Sequence, residues 1–129
     1  MIEKTIGDIL DETAGKWPDK DALVYVDRNL RYSYREFRDR CNRLAKGLLA
    51  LGVKKGEHVA VWAYNVPEWV ILQFATAKIG AVLVTVNTLY KARELEYLLK
   101  QSDSTTLFLV KGFKDVDYAE TVYNVAPEV

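Results

Sequence analysis

The 129-residue chain carries few side chains with an obvious chemical use, and their placement limits what it can do. His58 is its only histidine and Cys41 its only cysteine. A lone histidine with no cysteine pair cannot assemble a His/Cys metal site. A Ser-His-Asp arrangement through His58 is formally open, but no spacing supports it. His58 enters a strand and reads as a structural or surface residue. Cys41 shares a helical face with Phe37, Leu44, Ala45 and Leu48, so it reads as a buried, inert thiol, and no internal disulfide is available. Neither G-x-x-x-x-G-K nor G-x-G-x-x-G occurs, so no phosphate-cradling loop of those kinds is present. Glu94 and Glu96 lie on a polar helix face beside basic partners and serve solubility. What remains are Tyr64 and Asn65, Asn87 and Thr88, and Lys111, each just past an apolar strand, where open α/β sheets bind ligands. Two of these have simpler duties: Asn65 caps a helix and Asn87 shapes a turn.

The elements that must position them follow from periodicity. Residues 5–17 predict an amphipathic helix with Ile6, Ile9, Leu10, Thr13, Ala14 and Trp17 on one face, opened by a Thr5/Asp8 capping box and stopped before Pro18. Residues 22–26 and 30–34 predict a hairpin at the edge of the domain, turning at Asp27, Arg28 and Asn29. Ser33 and Glu36 form a second capping box before the stripe Phe37, Cys41, Leu44, Ala45, Leu48 and Leu49, which predicts a helix over 34–51 ending at Gly52.

Beyond Gly56 the pattern changes to continuous apolar runs at 59–63, 81–86 and 105–110, as in strands covered on both faces. A helix opened by Pro67 and closed by Gly80 is apolar nearly all round, and therefore buried. A second helix, 91–101, turns Leu95, Leu98 and Leu99 inward, and a last one spans 116–125 with Tyr118, Ala119, Val122 and Tyr123. This is a βαβαβ succession. Right-handed crossovers make it a parallel, doubly wound α/β sheet, preceded by a small β-hairpin. No linker or repeat divides the chain, so residues 1–129 read as one domain.

Composition narrows the setting. Lys plus Arg and Asp plus Glu both number 18, which gives no electrostatic case for nucleic acid or an anionic membrane. Half the residues are hydrophobic, enough for a real core. There is no leader-like apolar run and no membrane-length segment, so a cytoplasmic protein is the expectation.

The segments Leu30–Phe37 (LRYSYREF), Asn42–Gly52 (NRLAKGLLALG) and Lys54–Val61 (KKGEHVAV) together resemble the first core motif of the acyl-adenylate-forming superfamily. Asn65–Trp69 (NVPEW) is similar to the stretch before the buried helix in those enzymes. Ala77–Asn87 (AKIGAVLVTVN) resembles their second core motif, and Ala92–Leu99 with Ser102 the helix and turn that follow. The resemblance runs from about Thr5 to beyond Val110, and the stretch from Asn87 to Tyr97 is most like fatty-acyl- or aryl-CoA ligases.

That resemblance implies the N-terminal part of an AMP-forming acyl-CoA synthetase. The family joins a carboxylate to ATP-Mg as an acyl-adenylate with loss of pyrophosphate, then lets coenzyme A displace AMP. ATP, Mg and coenzyme A are cofactors of the complete enzyme, and none is expected for this stretch alone. The family's phosphate loop, ribose-binding Asp and catalytic Lys lie downstream in relatives, so no catalytic residue is carried over. In some relatives the loop after the third strand supplies basic contacts to the coenzyme A phosphates, which implies that role for Lys111 and Lys114. The expected partner is the remainder of the synthetase, with self-association at an exposed strand edge. The alternative is a stand-alone or split-enzyme interaction module derived from the same fold.

Overall fold

The computed structural model describes residues 4–64, 66–110, 112–113 and 116–125. Helix α1 (Ile6–Lys16) begins at Thr5, whose hydroxyl accepts from Asp8 N–H at 3.0 Å while the Asp8 carboxylate accepts from Thr5 N–H at 3.2 Å. Its buried side is Gly7, Leu10 and Ala14, and the expected inward set is corrected here: Ile6, Ile9 and Trp17 are exposed. The cause is the close approach at Gly7. A Cβ there would stand 3.1 Å from the Lys78 Cγ, so the helix rolls onto its smallest residues to reach its neighbour.

Strands β1 (Asp21–Tyr25) and β2 (Leu30–Ser33) pair antiparallel as a separate two-stranded sheet. Val26, expected in the first strand, instead opens a single 3-10 turn over Val26–Arg28, closed by Asn29 in the left-handed region at φ 48°. Ser33 ends the hairpin and caps α2 (Tyr34–Ala50): its hydroxyl accepts from Glu36 N–H at 3.2 Å, and Glu36 accepts from Ser33 N–H at 3.1 Å. Hydrogen bonding from the Ser33 N–H first, and from the Ser33 side chain next, holds the Glu36 carboxyl below its usual range. At the far end Val53 N–H returns to the Leu48 carbonyl and Gly52 N–H to that of Leu49, which satisfies two of the helix's last acceptors. Phe37, Cys41, Ala45 and Leu48 are buried as the stripe predicts, whereas Leu49 is exposed.

The main sheet is parallel, in the order β4 (Val82–Thr85), β3 (His58–Trp62), β5 (Ser104–Leu109). Alternation along β3 sends Val59 and Val61 to one face and Ala60 and Trp62 to the other. The first face is covered by α3 (Pro67–Ile79), through Leu72 and Ala75, and by α2, through Ala45 and Leu48. The second is covered by Leu95 of α4 (Ala92–Gln101) and by Tyr118 and Val122 of α5 (Tyr118–Val125). Helices thus lie on both faces of the sheet, and the doubly wound α/β expectation holds. A third cluster, Leu10, Phe37 and Cys41, binds α1 and the hairpin to α2 and α3, with Phe37 edge-on to Phe74 at 5.4 Å.

Two details depart from the periodicity. Residues 116 and 117 are not helical. Val116–Asp117 (β7) pairs antiparallel with Gly112–Phe113 (β6), a ribbon too short to show as a repeat, and α5 starts at Tyr118, two residues later than expected. Helix α3 is apolar all round, yet only Pro67, Leu72, Ala75 and Thr76 are fully buried.

Gly80 ends α3 at φ +75°, and its carbonyl accepts from Gly56 N–H at 2.9 Å. An added Cβ would stand 2.9 Å from the Lys55 Cγ. Gly80→Ala is expected to cost about 1–2 kcal/mol through its left-handed backbone, read as a lower urea midpoint. Adding Lys55→Ala should recover only the contact part of the loss. A full recovery would show that the backbone conformation carries no cost.

Candidate functional site

Strands β3, β4 and β5 end side by side, and beyond them the ladder is prolonged by Val86 N–H donating to the Val61 carbonyl at 3.0 Å and Val110 N–H to that of Trp62 at 3.2 Å. The loop after β4 closes over this end. Asn87 Oδ1 accepts from Leu89 N–H at 2.9 Å and its carbonyl accepts from Tyr90 N–H at 3.0 Å, the turn-shaping role that the sequence predicts for it.

Below the loop two aromatic rings, both with no exposed surface, lie face to face: Trp62 and Tyr118, centroids 3.7 Å apart and 5° from parallel. Their polar ends point the same way. Trp62 Nε1–H donates to the Asn87 carbonyl at 3.1 Å, and the Tyr118 hydroxyl donates to the Thr88 carbonyl at 2.8 Å. Burial pushes the Tyr118 phenol above its usual range, which keeps the donor proton in place. The pair joins the carboxyl end of β3, the 87–90 loop and the start of α5. Sequence reasoning missed it. The available signals were a Trp closing a buried strand and a Tyr on the inward face of the last helix, with nothing in the pattern to say they touch.

The other predicted residues separate. Tyr64 is exposed just past β3. Asn65, Lys111 and Lys114 lie outside the described residues. His58 is structural, as expected: its Nδ1 bonds the Ser102 carbonyl and so ties the start of β3 to the end of α4, at the opposite end of the sheet from the loop. Cys41 is buried among Leu10 and Phe37. Burial pushes its thiol up to about 12, with Lys78 acting weakly the other way. Among the described residues no group of three or more His, Cys, Asp or Glu comes together, and no helix is long and apolar enough to cross a membrane.

Two clefts flank this framework. One, of about 260 Å³ and almost wholly apolar, opens at the ends of β3 and β5 between Leu44, Val66, Trp69, Ile71, Phe108 and Val110. The other, about 350 Å³ and more polar, lies between α1, α2 and α3, where Lys78 Nζ meets Asp11 at 2.7 Å.

Comparison with known proteins gives the framework a context. The family model described as AMP-binding enzyme matches residues 10–128. "Putative acyl-CoA synthetase YngI" of Bacillus subtilis is 53% identical over all 129 residues, which correspond to 24% of its own length. "Medium-chain acyl-CoA ligase ACSF2, mitochondrial" of Rattus norvegicus is 37% identical over the same span, 21% of its length. The inhibitor-bound N-terminal domain of FACL13 from Mycobacterium tuberculosis superposes with a TM-score of 0.80 at 35% identity, covering 82% of this chain and 27% of that one. The chain thus spans about a quarter of the length of these relatives.

Two outcomes follow from the packing. At pH 8 a thiol–disulfide reagent should leave Cys41 of the folded chain unmodified and label it stoichiometrically in denaturant. The thiol titrates near 9 when unfolded and about 12 when folded, so stability is full below the first value and declines as pH rises through that window. Rapid labelling of the native chain would contradict the burial. Tyr118→Phe keeps the stack but leaves the Thr88 carbonyl without its donor, and should cost about 1–3 kcal/mol, with faster amide exchange at Leu89 and Tyr90. Unchanged exchange would mean that the hydroxyl does not hold the loop.

Proposed function

Because the chain belongs to the AMP-binding enzyme family, we propose that it is the N-terminal part, a single domain, of an AMP-forming acid–CoA ligase. The complete protein converts ATP, a carboxylic acid and coenzyme A into acyl-CoA, AMP and pyrophosphate. The observation that carries this reading is the continuous family match over residues 10–128, combined with relatives described as acyl-CoA synthetases and ligases along the whole chain. The acid is a fatty acid, by likeness to those relatives. A cytoplasmic setting suits a chain whose one cysteine is a buried thiol.

Within that protein the 129 residues act as scaffold. The polar groups at the strand ends are committed to backbone: Asn87 to its own turn, Trp62 and Tyr118 to the carbonyls of the 87–90 loop. Among the described residues no carboxylate cluster suited to Mg comes together, and the sequence holds no glycine-rich phosphate loop of the G-x-x-x-x-G-K or G-x-G-x-x-G kind. Adenylation and thiolester formation fall to groups further along the longer polypeptide. For this stretch the one direct ligand contact we assign is electrostatic and comes by likeness to the family: Lys111 and Lys114, which follow β5 in the sequence, contribute positive charge to binding the phosphates of coenzyme A.

In the complete enzyme the double change Lys111→Glu and Lys114→Glu should raise the apparent KM for coenzyme A about tenfold or more, with the KM for ATP and kcat little changed. Unaltered coenzyme A kinetics would remove the lysine assignment. Failure of the complete enzyme to release AMP from ATP with any fatty acid would remove the ligase reading itself.

A further inference from the structure

The polar cleft between α1, α2 and α3 has no part in the scaffold described above. Lys78 and Ile79 close α3 just before β4 begins, so the cleft lies toward the opposite end of the sheet from the strand ends. Its volume of about 350 Å³ is at the lower end of small-molecule sites. Its walls differ in charge. Helix α1 contributes Asp8 and Asp11, and α2 contributes Asn42 and Lys46. Ala45, Leu49 and Ile79 add aliphatic surface.

The polar groups in this cleft are unequally satisfied. The Lys78 side chain, 12% exposed, is committed to Asp11, with Nζ 2.7 Å from Oδ1, which leaves Asp11 Oδ2. The Asp8 carboxylate accepts from Thr5 N–H on Oδ2 at 3.2 Å, which leaves its Oδ1. Asn42 is half-buried, yet its amide makes no hydrogen bond among the described residues, and Lys46 pairs with no carboxylate among them. Elsewhere in the fold such groups are met: Thr76 by the Leu72 carbonyl, Ser102 by Ser104, and His58 by the Ser102 carbonyl. Leu49, which belongs to the apolar stripe of α2, is 55% exposed. The two Asp and two Lys of the lining sum to zero charge, so the cleft as a whole favours neither a simple anion nor a simple cation.

We propose that this cleft binds a small zwitterion with an aliphatic side chain, an α-amino acid of about the size of leucine. Its carboxylate meets Lys46 and the Asn42 amide. Its ammonium meets the remaining oxygens of Asp8 and Asp11, and its side chain lies against Ala45, Leu49 and Ile79. Each polar contact is made to an atom that has no other partner in the fold, so binding leaves no protein group newly unpaired. The bound molecule ties α1, whose own buried side is only Gly7, Leu10 and Ala14, to α2. The inference goes beyond the ligase reading and does not rest on it.

Titration of the 129-residue chain by calorimetry and amide NMR tests it with ligands of one shape. They are L-leucine, 4-methylpentanoate, which lacks the ammonium, and 3-methylbutylamine, which lacks the carboxylate. Leucine should give saturable shifts at Asp8, Asn42, Lys46 and Leu49, and each analogue should bind at least about tenfold more weakly. Lys46→Glu should weaken leucine binding by about tenfold or more without moving the melting temperature, and Lys46→Arg should keep it within about threefold. An analogue that binds as well as leucine would overturn the proposal, because one charge would then suffice. So would shifts centred on Trp69 and Phe108 of the apolar cleft. The absence of a saturable shift at about 10 mM leucine, enough to fill a site of millimolar affinity, would do the same. Should the chain not stay folded in these titrations, leucine binding to the complete enzyme without ATP decides, unaltered against Lys46→Glu. Equal affinity there overturns the proposal, and a loss in the variant supports it. Failure of the ligase reading moves none of these readouts.

Discussion

The structure depends on one strand that has no solvent face. Val59, Ala60, Val61 and Trp62 of β3 are all buried, with partners hydrogen-bonded on both edges and helices on both faces. Such a strand supplies no alternation from which to set its own orientation, so its neighbours must do so. On one side the order is imposed by α2 and α3, which present Leu48, Leu72 and Ala75 to the two valines. On the other the large Trp62 ring needs a flat partner and an acceptor for its N–H, and Tyr118 and the Asn87 carbonyl provide them. A slip of β3 by one residue would exchange the valines for the tryptophan and break both arrangements at once.

The same constraint explains why the strand ends are furnished as they are. Buried indole and phenol groups each bring one donor that has to be met. Both are met by consecutive carbonyls of the loop after β4, so satisfying the core also fixes the shape of the surface above it. The loop is further shaped by Asn87 Oδ1 on Leu89 N–H. Polar side chains in a position where α/β sheets bind ligands therefore need not be ligand-binding groups; here their hydrogen bonds are directed to the backbone.

How much of this could be read in advance depended on the range of the interaction. Local signals were legible. The capping boxes at Thr5/Asp8 and Ser33/Glu36, the Pro67 start and the Gly52 and Gly80 stops each set an element boundary within a residue or so, because the bonds they make span only three to six residues. The three apolar runs were read as parallel strands because only burial on both faces tolerates them. What stayed hidden was set by other parts of the chain. Ile6 and Ile9 have the right spacing to face inward, but the contact of Gly7 with Lys78 rotates α1 away from them. The ribbon of β6 and β7 has two residues a side and no period to detect. The Trp62–Tyr118 stack joins residues from the first strand of the main sheet and the last helix, and no window of sequence contains both. For the candidate site, Asn87 and His58 were read in their observed structural roles, while the pair that organises the strand ends was not.

The open edge of β5 bears on what kind of unit this is. A three-stranded parallel sheet buries its middle strand well and its outer strands poorly, because each outer strand keeps one unpaired row of backbone donors and acceptors. On its inner side β4 is held to the start of β3 by Val82 N–H on the Glu57 carbonyl and by Gly56 N–H on the Gly80 carbonyl, and its outer side, like that of β5, pairs with no strand among the described residues. Among the described residues β5 is followed by the short ribbon and α5, which returns to the face already covered by α4. The hairpin and α1 pack on α2 and α3, on the opposite side of the sheet from α4 and α5. A ligand cleft in such a fold forms where strand ends meet loops from the completed sheet. The cleft lined by Trp69 and Phe108 opens at such strand ends, and its walls are apolar because the polar groups of the neighbouring β4 loop are turned onto backbone.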